Sequence, residues 1–125
     1  MARKPKPGLT ERESEIMEVL WESGPATSED VRSRLSGNPH DSSVRTFLRI
    51  LIDKGMVKAD SKKRPAVYRA AVRKDKVQKK EVGHLLKRMF GGSAESLVLR
   101  LIEDEQLTLD QLEEIRSSIK KRKGS

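Results

Sequence analysis

The chain of 125 residues contains no cysteine, which excludes disulfides, thiolate metal sites and cysteine nucleophiles. Two histidines, His40 and His84, are too few for a His-rich metal or catalytic cluster. No run of about eighteen apolar residues occurs, so no membrane insertion is expected. The opening Met1–Gly8 stretch lacks the apolar segment of a secretory signal. Glu13 and Glu18 have no acid–base partner in view. The chain therefore reads as soluble and cytoplasmic, with no cofactor, no metal and no enzymatic activity. What it has instead is charge: 27 Lys and Arg against 19 Asp and Glu, a net +8. With 37% charged and 34% hydrophobic residues, the apolar core must be small and the partner anionic.

Residues 1–8, with Arg3, Lys4 and Lys6, have nothing to bury and read as a disordered basic arm. Thr10-Glu-Arg-Glu13 is a capping-box pattern, and Ile16, Met17, Leu20 and Trp21 recur at helical spacing until Gly24-Pro25. A second helix follows a Thr27/Ser28 cap, with Val31 and Leu35 on one face, and ends at Gly37-Asn38-Pro39. A third begins after Asp41 or Ser42 and runs to Lys54, with Val44, Phe47, Leu48 and Leu51 inward and Gly55 just past its end. Met56–Asp60 and Ala66–Ala70 alternate as strands do, around a polar tip at Ser61–Pro65. Three further helices are expected after Asp75. The first is lined by Val82, Leu85, Leu86, Met89 and Phe90 up to Gly91-Gly92. Ser93 caps the next, and Thr108-x-x-Gln111 caps the last.

Helix, helix, helix, hairpin is the order of a winged helix-turn-helix. The third helix carries the physical case for DNA. Its inward face is apolar, while Ser42, Ser43, Arg45, Thr46 and Arg49 form a small, polar, cationic outer face. A helix entering the major groove needs short hydroxyl residues for close approach and arginines for guanine edges or phosphates. Lys62, Lys63 and Arg64 at the hairpin tip add cations for the adjacent backbone or minor groove. Taken singly, each feature also suits an ordinary solvated surface. Their conjunction with the net charge points to duplex DNA, bound with a log–log salt slope of about −0.9 per phosphate neutralised.

Several stretches resemble the penicillinase and methicillin-resistance repressors, the BlaI/MecI type. Leu9-Thr-Glu-Arg-Glu-Ser-Glu-Ile-Met-Glu-Val-Leu-Trp21 is similar to that family's opening. Ser42-Ser-Val-Arg-Thr46 followed by Leu51-Ile-Asp-Lys-Gly55 resembles its recognition helix and exit. Pro65-Ala-Val-Tyr-Arg69 resembles the wing's return strand, and Phe90-Gly-Gly-Ser93 a junction in the C-terminal part. The resemblance spans Leu9 to about Ile119. It implies a homodimeric repressor on a palindromic DNA operator, with Ser43, Arg45 and Thr46 facing bases and Ser42, Arg49 and the wing serving the backbone. Ser42-Ser43 stands where those repressors tend to have Lys-Thr, so the operator need not be shared. Those repressors are inactivated by a sensor-linked protease at an Asn-Phe bond; the matching candidate cleavage position here is Arg100-Leu101. The cysteine cluster of copper-responsive relatives has no counterpart.

The expected architecture is thus mainly α with a small β-hairpin wing: a winged helix-turn-helix over 9–72 and a helical dimerisation region of three helices over 73–125. About 50 residues seldom bury enough surface alone. The rows Leu85, Leu86, Met89 and Phe90; Leu97, Val98, Leu101 and Ile102; and Leu112, Ile115 and Ile119 are the candidate dimer contacts. Packing of these helices on the same chain is the alternative. Two other functions stay open on the residues alone: a protein-interaction adaptor with the winged helix as scaffold, and a sequence-neutral nucleic-acid binder.

Overall fold

The computed structural model describes residues 8–124. The expected disordered arm lies outside the described residues except for Gly8, whose carbonyl accepts a hydrogen bond from Lys54 Nζ at 3.0 Å. Contacts divide the chain between Glu81 and Val82, later than the 72/73 boundary read from the sequence.

The N-terminal unit starts with α1 (Glu11–Ser23). Its capping box forms as the sequence pattern demands: Thr10 Oγ1 accepts from the Glu13 amide at 3.2 Å, and Glu13 Oε1 accepts from the Thr10 amide at 3.0 Å. Gly24, at φ 78°, closes the helix. A second capping box, between Thr27 and Asp30, opens the short α2 (Ser28–Ser33). The third helix, α3 (Asp41–Asp53), ends in a Schellman motif in which Met56 N–H reaches Leu51 O and Gly55 N–H reaches Ile52 O. That motif requires positive φ at Gly55, which stands at 77°.

The wing is β2 (Val57–Asp60) antiparallel to β3 (Val67–Ala70), with Val57 opposite Ala70 and Asp60 opposite Val67. A third strand, β1 (Ala26–Thr27), pairs with β3 on its other side, so the order is β1-β3-β2. Two residues are too few to give an alternation signal, so the expected hairpin is a three-stranded sheet instead.

Ile16, Met17, Val31, Val44, Leu48 and Leu51 are completely buried and form the core with Leu20, Leu35 and Val57. Phe47 is half-buried at its margin. Trp21 packs on the same core and donates its indole N–H to Val72 O at 3.0 Å, tying α1 to the chain as it leaves the sheet. The first part of α4 (Lys74–Met89) is held to this unit by side chains. Lys74 pairs with Glu18, and Glu81 Oε1 accepts from the Leu9 amide at 3.2 Å.

The C-terminal unit comprises the rest of α4, α5 (Ala94–Glu103) and α6 (Leu109–Gly124). The expected caps form: Ser93 Oγ accepts from the Ser96 amide, and Thr108 and Gln111 make a reciprocal pair. Among the described residues of this unit, none is fully buried.

Candidate nucleic-acid interface

The geometry of α3 follows from its two-sided sequence. Val44, Leu48 and Leu51 are wholly buried and lock the helix to the core, while Ser42, Ser43, Arg45, Thr46 and Arg49 are exposed on the opposite side. The spacing that fills the core therefore determines which residues are presented outward. At the helix start His40 is the N-cap, but its side chain makes no cap bond; its carbonyl accepts from the Ser43 and Val44 amides.

The polar residues of this face are not equivalent. Arg45 Nε lies 3.1 Å from Asp41 Oδ2, one turn earlier. Arg49 has no carboxylate within ion-pair distance among the described residues. Thr46 Oγ1 donates to Ser42 O at 2.9 Å, spending its hydroxyl proton within the helix. Asp41 is the residue of this face that the sequence reading missed. The signal was available, since an acid four residues before an arginine is an i,i+4 pair.

The wing stands beside Arg45 and Arg49. Arg45, Arg49 and Ile52 of α3 line a cleft whose other wall is Ala59, Ser61, Pro65 and Ala66, with Ser28 and Tyr68 completing it. Lys62, Lys63 and Arg64 are exposed at the tip, where Asp60 Oδ1 accepts from the Lys62 amide at 3.1 Å and shapes the turn.

Two networks outside this face hold α3 in place. Glu13, which caps α1, also accepts from Lys54 Nζ at 2.7 Å, so one buried carboxylate joins the start of α1 to the end of α3. Burial pushes the Glu13 carboxyl up, but the Lys54 ammonium and the Thr10 amide outweigh it and hold the group below its ordinary value of 4.5. The turn before α3 is held by Glu15, which accepts from the Ser36 amide at 2.7 Å and from its hydroxyl, while Arg12 donates to Ser36 O at 2.9 Å. The Ser36 amide, then its hydroxyl and Arg12, keep the Glu15 carboxyl below its usual range.

A family model described as penicillinase repressor matches residues 9–121. The chain belongs to the penicillinase repressor family. This makes it a member of a family of DNA-binding transcriptional repressors, and its winged helix is the fold that the sequence led us to expect. The methicillin resistance regulatory protein MecI of Staphylococcus aureus (strain N315) is 24% identical over 118 residues, covering 91% of this chain and 94% of that protein. The penicillinase repressor of Bacillus licheniformis is 25% identical over 120 residues, 94% of each. Among solved structures, the transcriptional regulator PA4135 aligns with a TM-score of 0.46 at 19% identity, covering 93% of this chain and 78% of that one.

The candidate dimer residues are distributed unevenly within their unit. Leu85, Leu86, Phe90, Leu97, Val98, Leu101, Ile102 and Leu112 are half-buried. Met89, Ile115 and Ile119 are exposed, as are Leu99 and Leu109, which the sequence reading did not select. The candidate cleavage pair Arg100-Leu101 lies inside α5, with Arg100 exposed near Glu103 and Asp104 and Leu101 half-buried. No helix among the described residues is long and apolar enough to cross a membrane.

Proposed function

We propose that the protein is a homodimeric repressor that reads a palindromic operator through α3 of each copy. The observation that carries this reading is the outward face of α3, where Ser42, Ser43, Arg45, Thr46 and Arg49 are exposed on a helix whose opposite side buries Val44, Leu48 and Leu51 completely. Ser43, Arg45 and Thr46 act on base edges; Ser42, Arg49, Lys62, Lys63 and Arg64 grip phosphates on either side of the groove. Two copies supply a symmetric reader, and symmetric half-sites lie about one helical turn, or a multiple of it, apart.

The dimer draws its support from the C-terminal unit. A unit of this size with no fully buried side chain among its described residues, and with Met89, Leu99, Leu109, Ile115 and Ile119 exposed, gains most by covering those surfaces with a second copy. Release by a sensor or protease completes the reading. Because Arg100-Leu101 sits within a hydrogen-bonded helix, cleavage there requires α5 to open locally first.

A fluorescence-anisotropy titration against the DNA upstream of the protein's own gene, with a shuffled duplex as control and two salt concentrations, tests the proposal. A preference of about 10³-fold or more supports sequence-specific repression. Equal, salt-steep binding to every duplex, including duplexes selected by the protein itself, speaks for a sequence-neutral binder. No binding at low salt removes DNA from the account and leaves the adaptor.

A further inference from the structure

We propose that Asp41 is the positioning residue that gives α3 its selectivity: it aims Arg45 at a guanine and makes contact with every other sequence less favourable. The inference rests on the DNA reading above and extends it to a residue that the face itself singles out. Arg45 presents five N–H donors in a rigid fork. Asp41 Oδ2 stands 3.1 Å from Nε as an ion pair, which holds the guanidinium beside the carboxylate while its N–H donors stay available to another acceptor pair. Guanine O6 and N7 are such a pair in the major groove.

Fold stability accounts for only a modest part of this carboxylate, the favourable placement of an acid in the first turn of α3. Asp41 and Arg45 side chains are 45% and 65% exposed, and exposed i,i+4 pairs add little. Placed on a cationic face that meets a polyanion, Asp41 repels phosphate at every site, specific or not. Only where Arg45 finds its guanine is that repulsion offset, so the carboxylate widens the gap between right and wrong sequences. Arg32, the other cation whose field reaches Asp41, is already held by Glu29 at 2.7 and 2.9 Å and by Asn38 Oδ1 at 3.1 Å. Arg49, one turn further along and without a carboxylate, is left as a plain phosphate contact.

The experiment uses the full chain and a duplex selected by it from a randomised pool, with a random duplex of equal length as reference. Wild type, Asp41→Ala, Asp41→Asn and Asp41→Glu are titrated at several salt concentrations, with circular dichroism to establish that each is folded. The expected result for Asp41→Ala and Asp41→Asn is tighter binding to random DNA. Their salt slope steepens by about 0.9, because Arg45 becomes one more phosphate contact. Their preference for the selected duplex falls by about 5-fold or more, whereas Asp41→Glu keeps it. Replacing guanine by 7-deazaguanine in the selected duplex lowers the preference of wild type more than that of Asp41→Ala. Unchanged preference and salt slope in Asp41→Ala overturn the proposal while leaving the repressor reading intact. A wild-type protein that selects no preferred duplex overturns both.

Discussion

The carboxylate of Glu13 lies 2.7 Å from the ammonium of Lys54, across 41 residues of sequence, with only 2% and 11% of the two side chains exposed. The same carboxylate closes the cap of α1, and the same ammonium holds the carbonyl of Gly8. The start of α1 and the exit of α3 therefore share one buried ionic joint. Removing one partner strands the other charge, so Lys54→Met should cost about 3–5 kcal/mol. Urea unfolding followed by circular dichroism measures it; a loss below about 1 kcal/mol would show the joint to be superfluous.

The pH dependence of stability follows from the same group. Glu13 has a folded-state pKa below its ordinary value of 4.5, so its contribution is fully present above that value. It is lost as pH falls from there through the lower folded value. Glu15 and Glu29 are shifted in the same direction, by Ser36 and by Arg32 respectively, and act over the same acid range. Thermal melts of Glu13→Gln should show lower stability at neutral pH and a shallower acid decline than wild type.

On the groove face, Arg45→Ala should cost about 1–3 kcal/mol at a selected duplex and relax the preference at one position. Lys62→Ala and Lys63→Ala should weaken binding to all duplexes alike and flatten the salt slope by about 0.9 each. Equal losses on selected and random DNA for Arg45→Ala would remove it from base reading.

Thr46 makes a sharper case. Its hydroxyl proton is committed to Ser42 O, which leaves the methyl for an apolar partner such as a thymine methyl. Thr46→Val should therefore bind a selected duplex within about 3-fold of wild type, while Thr46→Ser, which keeps the hydroxyl and drops the methyl, should bind it less well. The reverse order would make the hydroxyl the reader.

Gly83 stands inside α4, and a Cβ built there meets nothing within 4 Å. Gly83→Ala should raise stability by about 0.5–1 kcal/mol through helix propensity alone. Differential scanning calorimetry of the full chain is the direct check.

Much of the winged unit was legible in the sequence because its determinants are local. Thr10 and Glu13 are three residues apart, the buried row of α3 repeats at helical spacing, and Gly55 marks an end that only a positive φ allows. What stayed hidden depends on chain segments meeting in space. The two-residue β1 acquires meaning only beside β3, and the partner of Glu13 is Lys54, which no local pattern announces. The Glu15–Ser36 joint was invisible for the same reason. On the outer face of α3 the cations and hydroxyls could be read directly, and the Asp41–Arg45 pair was there to be read as an i,i+4 spacing but was passed over. In the C-terminal unit the apolar rows were legible, but periodicity does not tell which of their members a single chain leaves exposed.

The order β1-β3-β2 has a consequence for how the molecule can vary. Because β3 is flanked on both sides, its register is held by two ladders, and the tip at 61–65 projects beyond both of them. Residues can be added, removed or recharged at that tip without shifting the paired positions beneath it. On the proposed reading, strength of grip on the DNA backbone is a dial that can be turned separately from the reading of bases, which would be fixed to the core through α3.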